Sequence, residues 1–140
     1  MRVLLDTCVL SEIRRKRGDA RVREQVSVLP AQSLFLSVLT IGELTKGIEL
    51  LAAGDHQGTL RHWLLTLEQN YADQILDVDT ETARIWGELT ATSQARGRTI
   101  PVSDGLIAAT AIRHGLHVMT RNVADFIETG AMLLDPWQDG

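Results

Sequence analysis

Short apolar runs alternate with longer stretches in which apolar residues recur every three or four positions, and this predicts strands followed by helices. Val3-Leu4-Leu5 reads as a buried strand. A helix is predicted from about Val9 to Arg17, stopped by Gly18, and a second from Ala20 to Val28, stopped before Pro30. Leu34-Phe35-Leu36 is the second strand. From Val38 to Ala53 the residues Ile41, Leu44, Ile48 and Leu51 fall on one helical face, and Gly54 ends the run. Gln57 to Gln69 predicts another helix with Leu60, Trp63, Leu64 and Leu67 inward. Ile75 to Val78 is the third strand. Thr80 then caps a helix running to Arg96, with Ala83, Trp86, Leu89, Thr90 and Ser93 on one side. Val102 to His114 predicts the next helix, with Ser103 or Asp104 as its cap and Gly115 as its stop. His117 to Thr120 is the fourth strand, Val123 to Ile127 a helical turn, and Met132-Leu133-Leu134 the fifth strand. Repeated β-α order predicts an α/β fold, a parallel sheet covered by helices on both faces.

With 140 residues, one domain spanning positions 1–140 is expected, large enough to bury a core without staples. Apolar residues make up 44% and charged residues 23%, ordinary for a soluble protein. The single cysteine, Cys8, excludes an intramolecular disulfide and reads as a small packing residue. The opening apolar run is cut by Asp6 too soon for a signal peptide, and no stretch is long enough to span a bilayer, so a cytoplasmic location with no membrane contact is expected. A net charge of −4 argues against nucleic-acid binding, but its distribution argues otherwise. Six of the 14 basic residues, Arg14, Arg15, Lys16, Arg17, Arg21 and Arg23, cluster with only Asp19 opposing them. Such a patch either guides a polyanion or is a solvated corner.

Four acids change the picture. Asp6 closes the first strand, Glu43 lies in the first turns of the helix after the second, Asp104 opens a helix after Pro101, and Asp125 follows Val118-Met119-Thr120. Carboxylates at the carboxyl ends of parallel strands, and at helix starts beside them, face a common crevice. Nothing in the chain supplies enough nearby cations to neutralise four of them, whereas a hard divalent ion would, and that points to metal-dependent phosphodiester chemistry. Each acid has a plainer reading as well. Asp6 and Asp104 suit helix caps, and Glu43, off the apolar stripe and next to the space left by Gly47, suits a surface pair with Lys46. Asn122 stands immediately after the fourth strand and Asp125 one turn on, so either can reach a metal directly or through water. Thr7 is positioned to bond the Asp6 carboxylate or a scissile phosphate; Arg121 can contact a phosphate or pair with an acid. His56, His62, His114 and His117 form no metal-spaced or catalytic pair, and none is needed if water is activated by Mg²⁺ or Mn²⁺.

Competing α/β chemistries fit poorly. A phospho-accepting receiver module wants a Lys at a late strand end, and the lysines are Lys16 and Lys46. A haloacid-dehalogenase-type phosphatase wants Asp-x-Asp where Asp6-Thr7-Cys8 stands, and no G-x-G-x-x-G follows a strand. Leu4-Leu5-Asp6-Thr7, Ile41-Gly42-Glu43-Leu44 with Gly47-Ile48, Asp104-Gly105-Leu106-Ile107-Ala108-Ala109-Thr110-Ala111 and Thr120-Arg121-Asn122-Val123-Ala124-Asp125-Phe126 resemble the PIN domain, and more narrowly the VapC/FitB-type toxins of bacterial type II toxin–antitoxin systems. The resemblance runs from Arg2 to Asp135-Pro136-Trp137. It implies a three-layer α/β/α sandwich around a parallel sheet of about five strands, and a Mg²⁺-dependent endoribonuclease with Mn²⁺ as a possible substitute. It matches Asp6, Glu43 and Asp104 to the family's first three acids. Its fourth acid commonly falls on the residue right after Thr-Arg, here Asn122, with Asp125 as a nearby substitute. It also implies an antitoxin partner whose tail enters the active-site groove, and a homodimer within that complex. Apolar residues between Val26 and Leu36, and along the Leu60 to Leu67 helix, are candidates for those contacts. The alternative is a catalytically inactive PIN-like module that only binds RNA or a partner.

Overall fold

The computed structural model describes residues 1–138. Five parallel strands run in the order β3-β2-β1-β4-β5: β1 Val3–Leu5, β2 Leu34–Ser37, β3 Ile75–Leu76, β4 His117–Met119 and β5 Met132–Leu134. Helices α1 (Thr7–Arg14), α2 (Ala20–Ser27), α3 (Val38–Glu49), α4 (Asp55–Asn70), α5 (Thr80–Ala95), α6 (Val102–His114) and α7 (Val123–Phe126) connect them. The order makes β1 a switch point, because the chain leaves it toward β2 and later returns to its other side at β4. In open α/β sheets a crevice forms outside the carboxyl ends of the strands at such a point.

Strand pleating sorts the core into two layers. Val3, Leu5, Leu34, Leu36, Met119 and Leu134 face one side and pack with Val9, Leu10, Val22, Leu44, Ile48, Leu60 and Leu64 from α1 to α4. Leu4, Phe35, Val118 and Leu133 face the other, against Ile107, Ala108 and Ala111 of α6 and Phe126 of α7. Alternate residues of each strand therefore enter different cores, which is the two-sided burial of a parallel sheet. Helix α5 lies on α6, where Gly105 lets the helices close: a Cβ there would sit 3.0 Å from Trp86 Cδ1.

Several sequence expectations are corrected. Helix α1 starts at Thr7, because Asp6 accepts a bond from the Thr7 amide, and it ends at Arg14, because Arg15 is already extended. Helix α3 stops at Glu49, short of Ala53 and Gly54; the Gln57 side chain donates to the carbonyls of Ile48 (3.0 Å) and Leu51 (3.1 Å), satisfying the helix end early. Strand β3 is only Ile75–Leu76, and β4 ends at Met119, before Thr120. Helix α5 is capped by Asp79, whose carboxylate accepts from the Thr82 amide at 2.8 Å, and Thr82 rather than Ala83 is the buried residue of its first turn. Helix α6 begins at Val102, with neither Ser103 nor Asp104 acting as its cap. Of the apolar residues between Val26 and Leu36, Leu34 and Leu36 are core and Val28 is exposed; on α4, Leu65 is the exposed one.

Candidate active site

The site grows from the ends of β1 and β4. Their ladder continues one residue past β1, since the Asp6 amide donates to the Met119 carbonyl at 3.0 Å. This sets the Asp6 side chain beside Thr120, the first residue after β4. The Thr120 hydroxyl donates to Asp6 Oδ2 at 2.8 Å and accepts from the Asn122 amide at 3.0 Å. On its other oxygen Asp6 accepts from the Thr7 amide at 2.9 Å, and the Cys8 thiol approaches Oδ2 at 3.9 Å. Asp6 is thus both a helix cap and a buried carboxylate, only 7% exposed, with its orientation fixed by several donors.

Glu43 comes to the same place from α3. The Thr7 hydroxyl donates to its Oε1 at 3.1 Å, joining the starts of α1 and α3. Asp104 arrives from the first turn of α6, free of capping duty, and Asp125 from α7. Their mutual fields show that the four belong together. Burial pushes the Asp104 carboxyl up to about 6, and the charges of Asp6, Asp125 and Glu43 push in the same direction. Burial raises Asp6 against the pull of the Thr120, Thr7 and Cys8 donors, and the Asp125 charge adds to the rise. Burial also raises Glu43, opposed by its Thr7 bond and reinforced by Asp6.

Among the described residues none of these four carboxylates has an ion-pair partner. Among the same residues, no three Asp, Glu, His or Cys side chains are drawn in tightly enough to hold an ion as they stand. Like charges with no counter-charge between them repel. The donor set is all oxygen, and Asp6, Glu43 and Asp104 in it are pushed toward their neutral forms; in charge and ligand type it fits a hard divalent cation.

The remaining sequence candidates fall as follows. Asn122 joins the site through its backbone, bonding Thr120 Oγ1 and accepting from the Asp125 amide at 3.0 Å, and its side chain makes no capping bond to α7. Asp125 is the one whose charge reaches Asp6 and Asp104. Among the described residues Arg121 pairs with no acid; its guanidinium lies 5.2 Å from the centre of the Trp137 ring. Cys8 packs against the core under α1, as a small residue should, and also touches Thr120 at 3.6 Å. Thr120 was readable from sequence only as a strand end; a Thr directly after a strand that pairs with the acid-bearing strand was the available signal. Thr120→Val keeps the shape and removes the donor that orients Asp6. Outer-shell partners of metal ligands are worth roughly 10–100-fold in affinity, so if Asp6 holds a divalent ion a loss of that size in ion affinity is expected, with the fold retained. Unchanged affinity would show that the Thr7 amide alone suffices.

The sequence profile of the PIN domain matches residues 3–131. Over 141 residues the chain is 34% identical to "Toxin FitB" of Neisseria gonorrhoeae, covering 98% of this chain and 99% of that protein. It is 31% identical over 137 residues to "VapC ribonuclease Y4jK" of Sinorhizobium fredii, covering 97% and 98%. A solved structure of FitAB bound to an IR36 DNA fragment contains a chain that superposes with a TM-score of 0.93 at 30% identity, covering 99% of this chain and 97% of that one. The profile match over most of the chain and the similarity along its full length show that the chain belongs to the PIN domain family.

Proposed function

We propose that this chain is a Mg²⁺-dependent endoribonuclease, the toxin of a type II toxin–antitoxin pair, cutting RNA phosphodiester bonds with metal-activated water. The observation that carries the reading is the convergence of Asp6, Glu43, Asp104 and Asp125, which drives the Asp104 carboxyl to about 6 by burial and by the other three charges. Relatives named a toxin and a ribonuclease support it. Asp6, Glu43 and Asp104 would hold the ion, with Asp125, which adds negative charge to the cluster, or the neutral amide of Asn122 as the fourth ligand. A divalent ion here would polarise the phosphoryl oxygen and lower the pKa of a bound water.

The chain's own groups do the rest. Thr120, Thr7 and Cys8 orient Asp6 and offset part of the cost that burial puts on its ionised form. The Thr7 hydroxyl, now on Glu43, is a donor available to a phosphate once Glu43 turns to the ion. The Arg121 guanidinium sits over the Trp137 ring, and its donors would be available to a backbone phosphate. A FitA-like antitoxin as partner, a homodimer within that complex and a cytoplasmic location complete the reading, and no helix among the described residues is long and apolar enough to cross a membrane. The solved FitAB assembly supports the partner.

Expression of the chain alone in a bacterial host is expected to arrest growth and to yield RNA ends mapping to few sites. Co-expression with the protein encoded beside it is expected to restore growth. Equal arrest by the Asp6→Asn variant would remove the nuclease from the explanation and favour an inactive binding module.

A further inference from the structure

Thr7 and Glu43 of the proposed cleavage site also line an open cavity of about 330 Å³. Three helices line it. Thr7, Ser11 and Arg14 are spaced along one side of α1, Leu44 and Ile48 form the floor from α3, and Leu60 and Trp63 close it from α4. The floor is apolar and buried. At the far end the Arg14 guanidinium lies over the Trp63 ring, 5.8 Å from its centre.

We propose that this cavity is a nucleobase subsite, seating one base of single-stranded RNA against Trp63 and Arg14 while the adjoining phosphate lies on the acids. The inference rests on the nuclease reading and adds the part of the substrate that the acids do not touch. Carboxylates around a metal recognise a phosphate and carry no base preference, so any choice among RNA positions must come from neighbouring surface. Single-stranded RNA is recognised by unstacked bases laid on aromatic rings and guanidinium planes, and Trp63 with Arg14 supplies both. Ser11 on the wall can accept and donate hydrogen bonds to a base edge.

Charge complementarity favours RNA over a neutral peptide. Arg14 begins the run Arg15, Lys16, Arg17, Arg21 and Arg23. Glu12 offsets Arg15 and Asp19 offsets Arg21, while Lys16 and Arg17, exposed just beyond Arg14, leave positive charge to meet the strand's phosphates. A protein tail is the other class of occupant, and the experiment separates the two.

The test uses the full chain carrying Asp104→Asn, so that RNA is bound without being cut, and short labelled oligoribonucleotides in millimolar Mg²⁺. Binding is read by fluorescence anisotropy. Oligomers with 5-iodouridine at successive positions are photo-crosslinked and the adducts mapped. One position is expected to crosslink to Trp63. An abasic residue at that position should weaken binding on the order of tenfold or more. Trp63→Leu should weaken the intact oligomer similarly and make the abasic change cost nothing further. Trp63 packs on the core, so Gly47→Leu serves as a second variant: Gly47 lines the cavity, and a Cβ on it meets nothing within 4 Å. It should fill the cavity and reproduce the loss.

The subsite is overturned if no position crosslinks to Trp63, or if the abasic change costs parent and Trp63→Leu equally. It is also overturned if both variants bind RNA like the parent while losing only a protein partner. A wild-type chain that cuts RNA without any base dependence sinks the subsite alone. A wild-type chain that crosslinks through Trp63 yet cuts nothing sinks the nuclease reading and leaves the subsite standing.

Discussion

Asp104→Asn is expected to lower metal-dependent RNA cleavage by more than the roughly 100-fold that loss of an outer-shell partner can cost, while raising the melting temperature of the metal-free protein at neutral pH. The two effects have one source. Asp104 is pushed to about 6 by burial, then by the fields of Asp6, Asp125 and Glu43. An ionised carboxylate in that position is a liability to the fold and an asset to a cation. Asn has nearly the same shape and no charge, so it removes the repulsion together with the ligand. Cleavage is checked with an end-labelled RNA and millimolar Mg²⁺, and stability by thermal melts in EDTA. A variant that cuts at the parental rate would remove Asp104 from the site. One that melts lower than the parent at pH 7.5 would mean that the carboxylate helps the apo fold, against the direction of its shift.

Divalent metal is expected to stabilise the protein strongly above pH 6 and weakly near pH 4. An unfolded Asp titrates near its ordinary value of 3.8, and folded Asp104 titrates near 6. Below the lower value the carboxyl is protonated in both states and costs nothing. Between the two values the native state keeps the extra proton, so by linkage stability falls as pH rises. Above 6 the group is ionised in both states and the full penalty stands. Asp6 and Glu43 shift in the same direction and add to the slope. A bound ion needs the ionised forms, so its contribution grows over the same interval. At a hundredfold excess over Kd it reaches about 2.7 kcal/mol, several degrees in Tm. Melts with and without Mg²⁺ at pH 4.5 and 7.5 decide this. Identical curves at both values would end the metal assignment.

The architecture was legible because its strands are short and apolar on both faces. Met132–Leu134 emerged with its observed bounds, and Ala20–Ser27 within a residue. Boundaries failed where a distant side chain decided them. Nothing local to Leu50 says that Gln57 will turn back and take the carbonyls ending α3. The bounds of Val102–His114 were read correctly but its cap was not: Ser103 and Asp104 are good caps in isolation, yet the cap position falls on Pro101, which leaves Asp104 in the first turn free of capping duty. The acids themselves were visible as strand-end and helix-start residues. Their support was not, because the bond from Thr120 to Asp6 exists only once β1 and β4 pair. Local sequence likewise left Asn122 and Asp125 as alternatives; in the fold Asn122 joins through its backbone bond to Thr120 and Asp125 through its charge on Asp6 and Asp104.

That Thr120–Asp6 bond joins residues 114 positions apart. Asp6 precedes Thr120 in the chain by that whole interval, and β1 gains its β4 neighbour only after six helices and two other strands have been made. The carboxylate on the first strand therefore waits for its orienting hydroxyl until the sheet has closed around β1, so the two halves of the chain must fold together before Asp6 takes its final orientation.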